Sequence, residues 1–278
     1  IAHREIQGVV RITMRKLCPE SRFGTKAVWH GTHSIKGSVA TPVFNSSTYK
    51  LSEDIYRGWE EGAQHTLLYS RISSVNSEAV SAKVAALENA EDGEMFDSGM
   101  SAITTTLLTL LSNGDHMVGS ADMYGGAYGL ITEDMPRFGI DATMADIRDP
   151  NSYEAAIKPN TKLLYVETIT NPVLKVCDLE AMAAIAKKHN VIAICDNTFA
   201  TPIFQRPLEL GCDVVVHSTT KFLNGHSDVV GGFACTNDPD LAERLHGIEA
   251  AFERQVEEMR DHLGVRVAGE AAAEELQL

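Results

Sequence analysis

Two short apolar runs constrain this chain more than any other feature: Val191-Ile-Ala-Ile-Cys195 and Asp213-Val-Val-Val216 are rich in β-branched residues, and each breaks off into polar text. Runs this short suit strands buried on both faces, and such strands belong to parallel sheets covered by helices. The first is followed by Asp196-Asn197-Thr198 and the second by His217-Ser218-Thr219-Thr220-Lys221. Further strands are expected at Glu94 to Phe96, His116 to Gly119, Ala142 to Ala145, Lys162 to Val166 and Val230 to Cys235. Between them lie helical stretches: Glu78 to Glu88, Met100 to Leu111, Asp178 to Lys188 with Asp178 as cap, and Pro239 onward. That alternation predicts an α/β fold, a mostly parallel sheet flanked by helices.

Parallel sheets collect ligands at the carboxyl ends of their strands, so the polar text after the two runs is where chemistry is expected. A lysine leaving the end of a buried strand is partly desolvated, which favours the neutral amine that condenses with a carbonyl. In an extended stretch Ser218 and Thr220 put both hydroxyls on one side next to Lys221, a setting suited to phosphate. Phosphate and aldehyde on one ligand point to pyridoxal phosphate. By itself the run also reads as a strand followed by a polar turn with an exposed lysine. Asp196, at the end of its own strand, is placed to pair with a protonated pyridine nitrogen, though an isolated Asp-Asn also reads as a turn. Asp196 and Lys221 are separated by about one βαβ step, which puts their strands close in the sheet.

The stretches Tyr165-Val-Glu167-Thr-Ile-Thr-Asn171-Pro172, Asp196-Asn197-Thr198-Phe199-Ala200, Ser218-Thr-Thr220-Lys221 and Gly225-His226-Ser227-Asp228 resemble the Cys/Met-metabolism family of pyridoxal-phosphate enzymes, from about Phe23 to about Gly247. The resemblance implies an aminotransferase-like type I fold and a homo-oligomer, a dimer of dimers. It makes Lys221 the Schiff-base lysine and proton shuttle, and Asp196 the partner of the ring nitrogen. Ser218 and Thr220 would hold the phosphate of pyridoxal 5'-phosphate, together with the amides of Gly99 and Met100 in Ser98-Gly99-Met100. Gly99 opens a helical run, and a helix N-terminus offers free amides to an anion. Tyr124 would stack on the ring and act as acid or base, Asn171 would approach the phenolic oxygen with Glu167 close by, and Tyr69 and Arg71 would reach across a dimer to the neighbour's phosphate. The implied activity is cleavage of the Cγ–S bond of a sulfur amino acid (cystathionine, homocysteine or methionine) by γ-elimination. The same residues also run γ-replacement and β-elimination, and a catalytically impaired cofactor-binding remnant is a further reading.

Ser74-Val75-Asn76 stands where the family usually shows Asn-Pro-Thr, so this loop is expected to be altered. Gly126 and Gly129 replace a cysteine and an arginine found in particular relatives, which blurs the substrate. The expected organisation is an N-terminal arm over 1–70 that contacts a partner subunit, a cofactor-binding large domain over 71–247 and a divergent charged helical tail over 248–278, with most of the small C-terminal domain missing. Arg254, Arg260 and Arg266 are the arginines left in the tail, and no motif nominates one for the substrate carboxylate. The first residues lack the apolar core of a secretory signal, and Met14 is the expected start, with 1–13 not native.

At 278 residues and 44% apolar content the chain can bury a substantial core. A formal charge of −14 argues against nucleic-acid or anionic-membrane partners. The five cysteines show no C-x-x-C pair, which suits reduced core thiols and a cytoplasmic setting. No run reaches the ~18 apolar residues a membrane helix requires. A nucleotide-binding oxidoreductase would need G-x-G-x-x-G, and Gly125-Gly126-Ala127-Tyr128-Gly129 has the wrong spacing. His30 with His33, or His217 with His226 and Asp228, lack a third ligand at zinc-site spacing, so no metal is expected.

Overall fold

A computed structural model describes residues 13–35, 37–50, 69–71 and 74–246. The tail over 248–278, with Arg254, Arg260 and Arg266, lies outside the described residues, as does much of the expected N-terminal arm.

The expected strands all form. After a two-residue ribbon of β1 (Thr13–Met14) and β2 (His33–Ser34) come β3 (Asp92–Phe96), β4 (His116–Ser120), β5 (Asp141–Ala145), β6 (Thr161–Glu167), β7 (Ile192–Asp196), β8 (Val214–His217) and β9 (Gly232–Thr236). These last seven make one sheet in the order β3-β9-β8-β7-β6-β4-β5. The block from β8 to β5 is parallel, and β9 runs antiparallel to both β8 and β3.

Side-chain alternation along the central strands builds a core on each face. Leu163 and Tyr165 of β6, Ile194 of β7 and Val214 and Val216 of β8 pack with Ile103, Leu107 and Leu110 of the helix Gly99–Leu110. Leu164 and Val166, Ala193 and Cys195 turn the other way, onto Leu179, Met182 and Ala186 of the helix Leu179–His189. A strand with a period of two and apolar residues in both phases is buried on both sides, and its polar residues are pushed to its ends. Val215, Phe233 and Cys235 form a third cluster with Val84 and Ala85 of the helix Val75–Glu88.

Local sequence explains the helix boundaries. Asp178 caps Leu179–His189 by accepting the Ala181 N–H at 3.0 Å, as expected. Ser74 caps Val75–Glu88 by accepting the Ser77 N–H at 3.1 Å. The neighbouring Asn76 accepts from Phe44 N–H at 2.8 Å and donates to Pro42 O at 2.9 Å, so Ser74-Val75-Asn76 is a helix start stitched to the N-terminal segment. The helices Phe23–Trp29 and Pro150–Ala156 were not expected from the sequence. The second carried a usable signal, an Asp149 cap followed by proline at the first helical position.

Residues 239–246 are helical, and His246 at their end fastens this segment to the edge strand β3. Its ring nitrogens lie 3.0 Å from Asp92 Oδ2 and 2.7 Å from Glu94 Oε2. Hydrogen bonds to Asp92 and Glu94 raise its pKa to about 10, against the desolvation that lowers it. Because the folded value exceeds the unfolded one, the stabilisation is complete below the ordinary imidazole pKa and is lost as pH rises through about 10. The melting-temperature advantage of the wild type over His246→Gln is therefore expected to be full near pH 6 and to vanish by about pH 11.

Candidate active site

The sheet gathers the sequence-nominated residues on one edge. Since β3 and β8 are both antiparallel to β9, β3 runs parallel to the rest, and the carboxyl ends of β3, β4, β6, β7 and β8 all point the same way. From that edge emerge Ser98-Gly99-Met100 after β3, Tyr124 after β4, Glu167 and Asn171 at and after β6, Asp196 at the end of β7, and Ser218 to Lys221 after β8. Residues scattered over more than half the described chain therefore share one crevice lip, where open α/β sheets bind ligands.

Close packing at this edge depends on glycines, Gly99 and Gly126 among them. A Cβ on Gly99 would lie 2.5 Å from Ser218 Cβ and 2.8 Å from Ser218 Oγ, so only glycine lets the helix Gly99–Leu110 begin against Ser218. Ser98 caps that helix, its Oγ accepting the Ser101 N–H at 3.0 Å. The helix therefore begins beside the Ser218 side chain, and its first-turn amides have no acceptor within the helix. A Cβ on Gly126 would lie 2.6 Å from the Tyr124 ring and 3.1 Å from Met100 Sδ, which puts Tyr124 beside Met100.

Two acids stand side by side on the lip, Glu167 and Asp196 being register partners across β6 and β7. Asp196 is buried; its Oδ1 accepts the Thr198 N–H at 2.9 Å, and the Tyr165 hydroxyl donates to its Oδ2 at 3.4 Å. Burial pushes the Asp196 pKa up, opposed by the hydrogen bonds from Thr198. The Tyr165 phenol is held well above its usual range, first by burial and then by Asp196. Glu167 is pushed up to about 7, chiefly by burial and then by the charge of Asp196. Its Oε1 accepts the Tyr124 N–H at 2.7 Å and its Oε2 the Asn171 N–H at 3.0 Å. Glu167 thus clamps the loop carrying Tyr124 to the loop carrying Asn171. Sequence reasoning gave it only proximity to Asn171, although it ends an apolar strand as Asp196 does.

Two expectations about the β8 end are corrected. The chain does not stay extended beyond His217: it turns over 219–224, with the Lys221 N–H donating to Ser218 O at 3.2 Å and the Gly225 N–H to Lys221 O at 2.9 Å. Lys221 consequently sits in a turn and is exposed in this chain, not desolvated at a strand end. Nor do Ser218 and Thr220 act as equivalent neighbours. The Thr220 hydroxyl donates to Gly231 O at 3.2 Å and accepts the Gly231 N–H at 3.0 Å, fastening the turn to the approach to β9. Tyr69 bridges to Thr48, and the Arg71 guanidinium lies 5.2 Å from the Tyr69 ring centre. His217, weighed above as a metal ligand, is bound to Glu88, and Gly125 and Gly126 open the short helix Gly125–Gly129 after β4.

A parallel sheet whose carboxyl edge carries a glycine-started helix, a buried acid, hydroxyls and a lysine is the large domain of type I pyridoxal-phosphate enzymes. The chain superposes on the crystal structure of metB from Corynebacterium glutamicum with a TM-score of 0.79 at 38% identity, covering 85% of this chain and 60% of that one. Residues 24–271 match the Cys/Met metabolism PLP-dependent enzymes, and the chain belongs to that family. The match continues past Gly247, where the resemblance was expected to end. Among its relatives are the cystathionine gamma-lyase of Bacillus subtilis (strain 168), 47% identical over 77% of this chain and 54% of that protein. The cystathionine beta-lyase MetC of the same organism is 43% identical over 78% of this chain and 53% of that protein. The chain spans about half the length of these curated relatives.

The raised pKa of Glu167 carries a sign. A carboxyl whose folded pKa exceeds its unfolded value favours folding fully below the unfolded value and loses that contribution as pH rises through about 7. The stability of the wild type relative to Glu167→Gln is thus expected to fall between about pH 5 and about pH 8 in thermal melts, a variant with no proton to lose serving as the flat reference.

Proposed function

We propose that this chain binds pyridoxal 5'-phosphate on the carboxyl edge of its sheet and that the protein is a carbon–sulfur lyase that cleaves the Cγ–S bond of a sulfur amino acid (cystathionine, homocysteine or methionine) by γ-elimination. The observation that carries this reading is the pairing of a buried acid with a glycine-started helix beside a hydroxyl on adjacent strands: Asp196 ends β7, and Ser218, against Gly99, follows β8. The residues fit the cofactor. A buried carboxyl whose pKa is raised is relieved by a cationic ring nitrogen, and the Gly99–Ser218 junction presents amides and a hydroxyl to an anion.

When bound, pyridoxal phosphate supplies an aldehyde that takes up amines and a ring that accepts electrons from a substrate carbanion. The rest falls to the chain. Gly99, Met100, Ser218 and Thr220 hold the phosphate side, Thr220 by fixing the turn. Asp196 keeps a proton at the ring nitrogen, and Asn171, clamped by Glu167, approaches the phenolic oxygen. Lys221 Nζ takes the substrate α-proton, passes it on and, neutral again, takes a β-proton, and the Tyr124 hydroxyl gives a proton to the departing sulfur. The position of Lys221 in an exposed turn suits a group that must swing between these tasks.

Residues 71–247 form the cofactor-binding large domain in this reading, with Tyr69 and Arg71 reaching a neighbouring subunit's phosphate. Exposed Val39, Val43, Phe204, Phe222 and Val230 favour such an assembly, a dimer of dimers. A cytoplasmic setting suits four buried, unpaired cysteines and one exposed one. A β-elimination reading is supported by the 43% identity to a cystathionine beta-lyase.

Purified protein given pyridoxal 5'-phosphate is expected to turn yellow and to release a 2-oxo acid, ammonia and a thiol from cystathionine or methionine, or hydrogen sulfide from homocysteine. Lys221→Ala should abolish both, and Tyr124→Phe should lower turnover about 10²-fold or more. Pyruvate from cystathionine in place of 2-oxobutyrate would identify β-elimination, colour without turnover a cofactor-binding remnant, and a colourless protein would end the proposal.

A further inference from the structure

Behind the lip lies a second polar cluster that the proposed chemistry does not use. Glu88, Asn197 and His217 are 0%, 0% and 1% exposed. Glu88 is the last residue of the helix Val75–Glu88, on a different part of the chain from the strands it touches. Its Oε1 alone accepts two hydrogen bonds, from Asn197 Nδ2 at 2.8 Å and from His217 Nε2 at 2.5 Å. Asn197 is the residue after Asp196, and His217 is the residue before Ser218. The cluster is tied to the main chain as well: the Asn197 N–H donates to Val216 O at 3.0 Å, Asn197 Nδ2 to Gln205 O at 2.9 Å, and the Ser218 N–H to Thr198 Oγ1 at 2.8 Å.

Fold stability is a poor reason for this arrangement. The cluster sits beside the apolar group of Val84, Val215, Phe233 and Cys235, where a hydrocarbon side chain would pack without desolvation cost. Glu88 Oε2, Asn197 Oδ1 and His217 Nδ1 are buried without hydrogen-bond partners, and a half-satisfied polar network is worse for stability than an apolar core. What the network does achieve is geometric: one oxygen from a remote helix locks the ends of β7 and β8 to each other.

We propose that Glu88 is a positioning residue, whose Oε1 fixes Asn197 and His217 so that Asp196 and Ser218 stand at the separation the cofactor needs, at a cost in fold stability. This rests on the cofactor reading above, but its structural half is testable without cofactor. In the full chain with no cofactor added, hydrogen exchange is followed at the Asn197 and Ser218 amides in wild type, Glu88→Leu and Glu88→Gln, alongside thermal melts and a titration with pyridoxal 5'-phosphate. Glu88→Leu, which leaves the buried His217 Nε2 without its acceptor and is expected to melt below wild type, should exchange about tenfold faster at those two amides while Met117 to Gly119 are unchanged. Its dissociation constant for pyridoxal 5'-phosphate is expected to rise about tenfold. Glu88→Gln, which keeps the Oε1 acceptor, should restore both readouts to within about twofold of wild type.

Unchanged exchange at Asn197 and Ser218 in Glu88→Leu would overturn the proposal. So would a leucine variant that fails to fold or exchanges faster throughout, since stability would then be the role of Glu88, and so would Glu88→Gln behaving like leucine. A wild type that takes up no pyridoxal 5'-phosphate would defeat the functional reading, leaving the exchange result to decide whether Glu88 holds the strand ends.

Discussion

The parallel pairing of β6, β7 and β8 is the constraint on which the rest depends. Its register sets Glu167 opposite Asp196 and Asp196 opposite Val216, so that two acids and the start of the Ser218–Lys221 turn arrive together at one edge. Burial on both faces makes the register hard to slip, because a one-residue shift would drive every apolar side chain into the wrong core. The raised pKa values of Asp196 and Glu167 follow from the same burial, which holds the carboxyls in a medium that resists their charge.

Much of this was legible in the sequence because it is enforced by local hydrophobicity. Val191–Cys195 and Asp213–Val216 are too short and too β-branched for anything but buried strands, and the polar residues that end them can only lie at the sheet edge. Less legible was whatever depends on where the chain turns. Extending the strand past His217 predicted a desolvated Lys221 and paired hydroxyls, whereas the turn exposes the lysine and commits Thr220 to Gly231. The clamp formed by Glu167 was hidden for a related reason: its partners are backbone amides on two loops distant in sequence, and backbone donors leave no signature in side-chain identity.

Stability and binding pull in opposite directions around this edge. Cores on the two faces are apolar and closely packed, yet the strand ends carry raised acids, a half-satisfied polar cluster and a close approach permitted only by glycine at position 99. Local departures of this kind from what folding alone favours are expected where a chain is shaped for a ligand. Membership of the Cys/Met metabolism PLP-dependent enzymes agrees with a ligand site along the carboxyl edge.

The central claim is that buried Asp196 keeps the pyridine nitrogen of pyridoxal 5'-phosphate protonated. Nitrogen-15 NMR of the protein loaded with ring-labelled cofactor measures this directly. The account predicts a protonated ring nitrogen in the wild type that loses its proton in Asp196→Ala. A ring nitrogen that is unprotonated in the wild type, or equally protonated in both proteins, would contradict it.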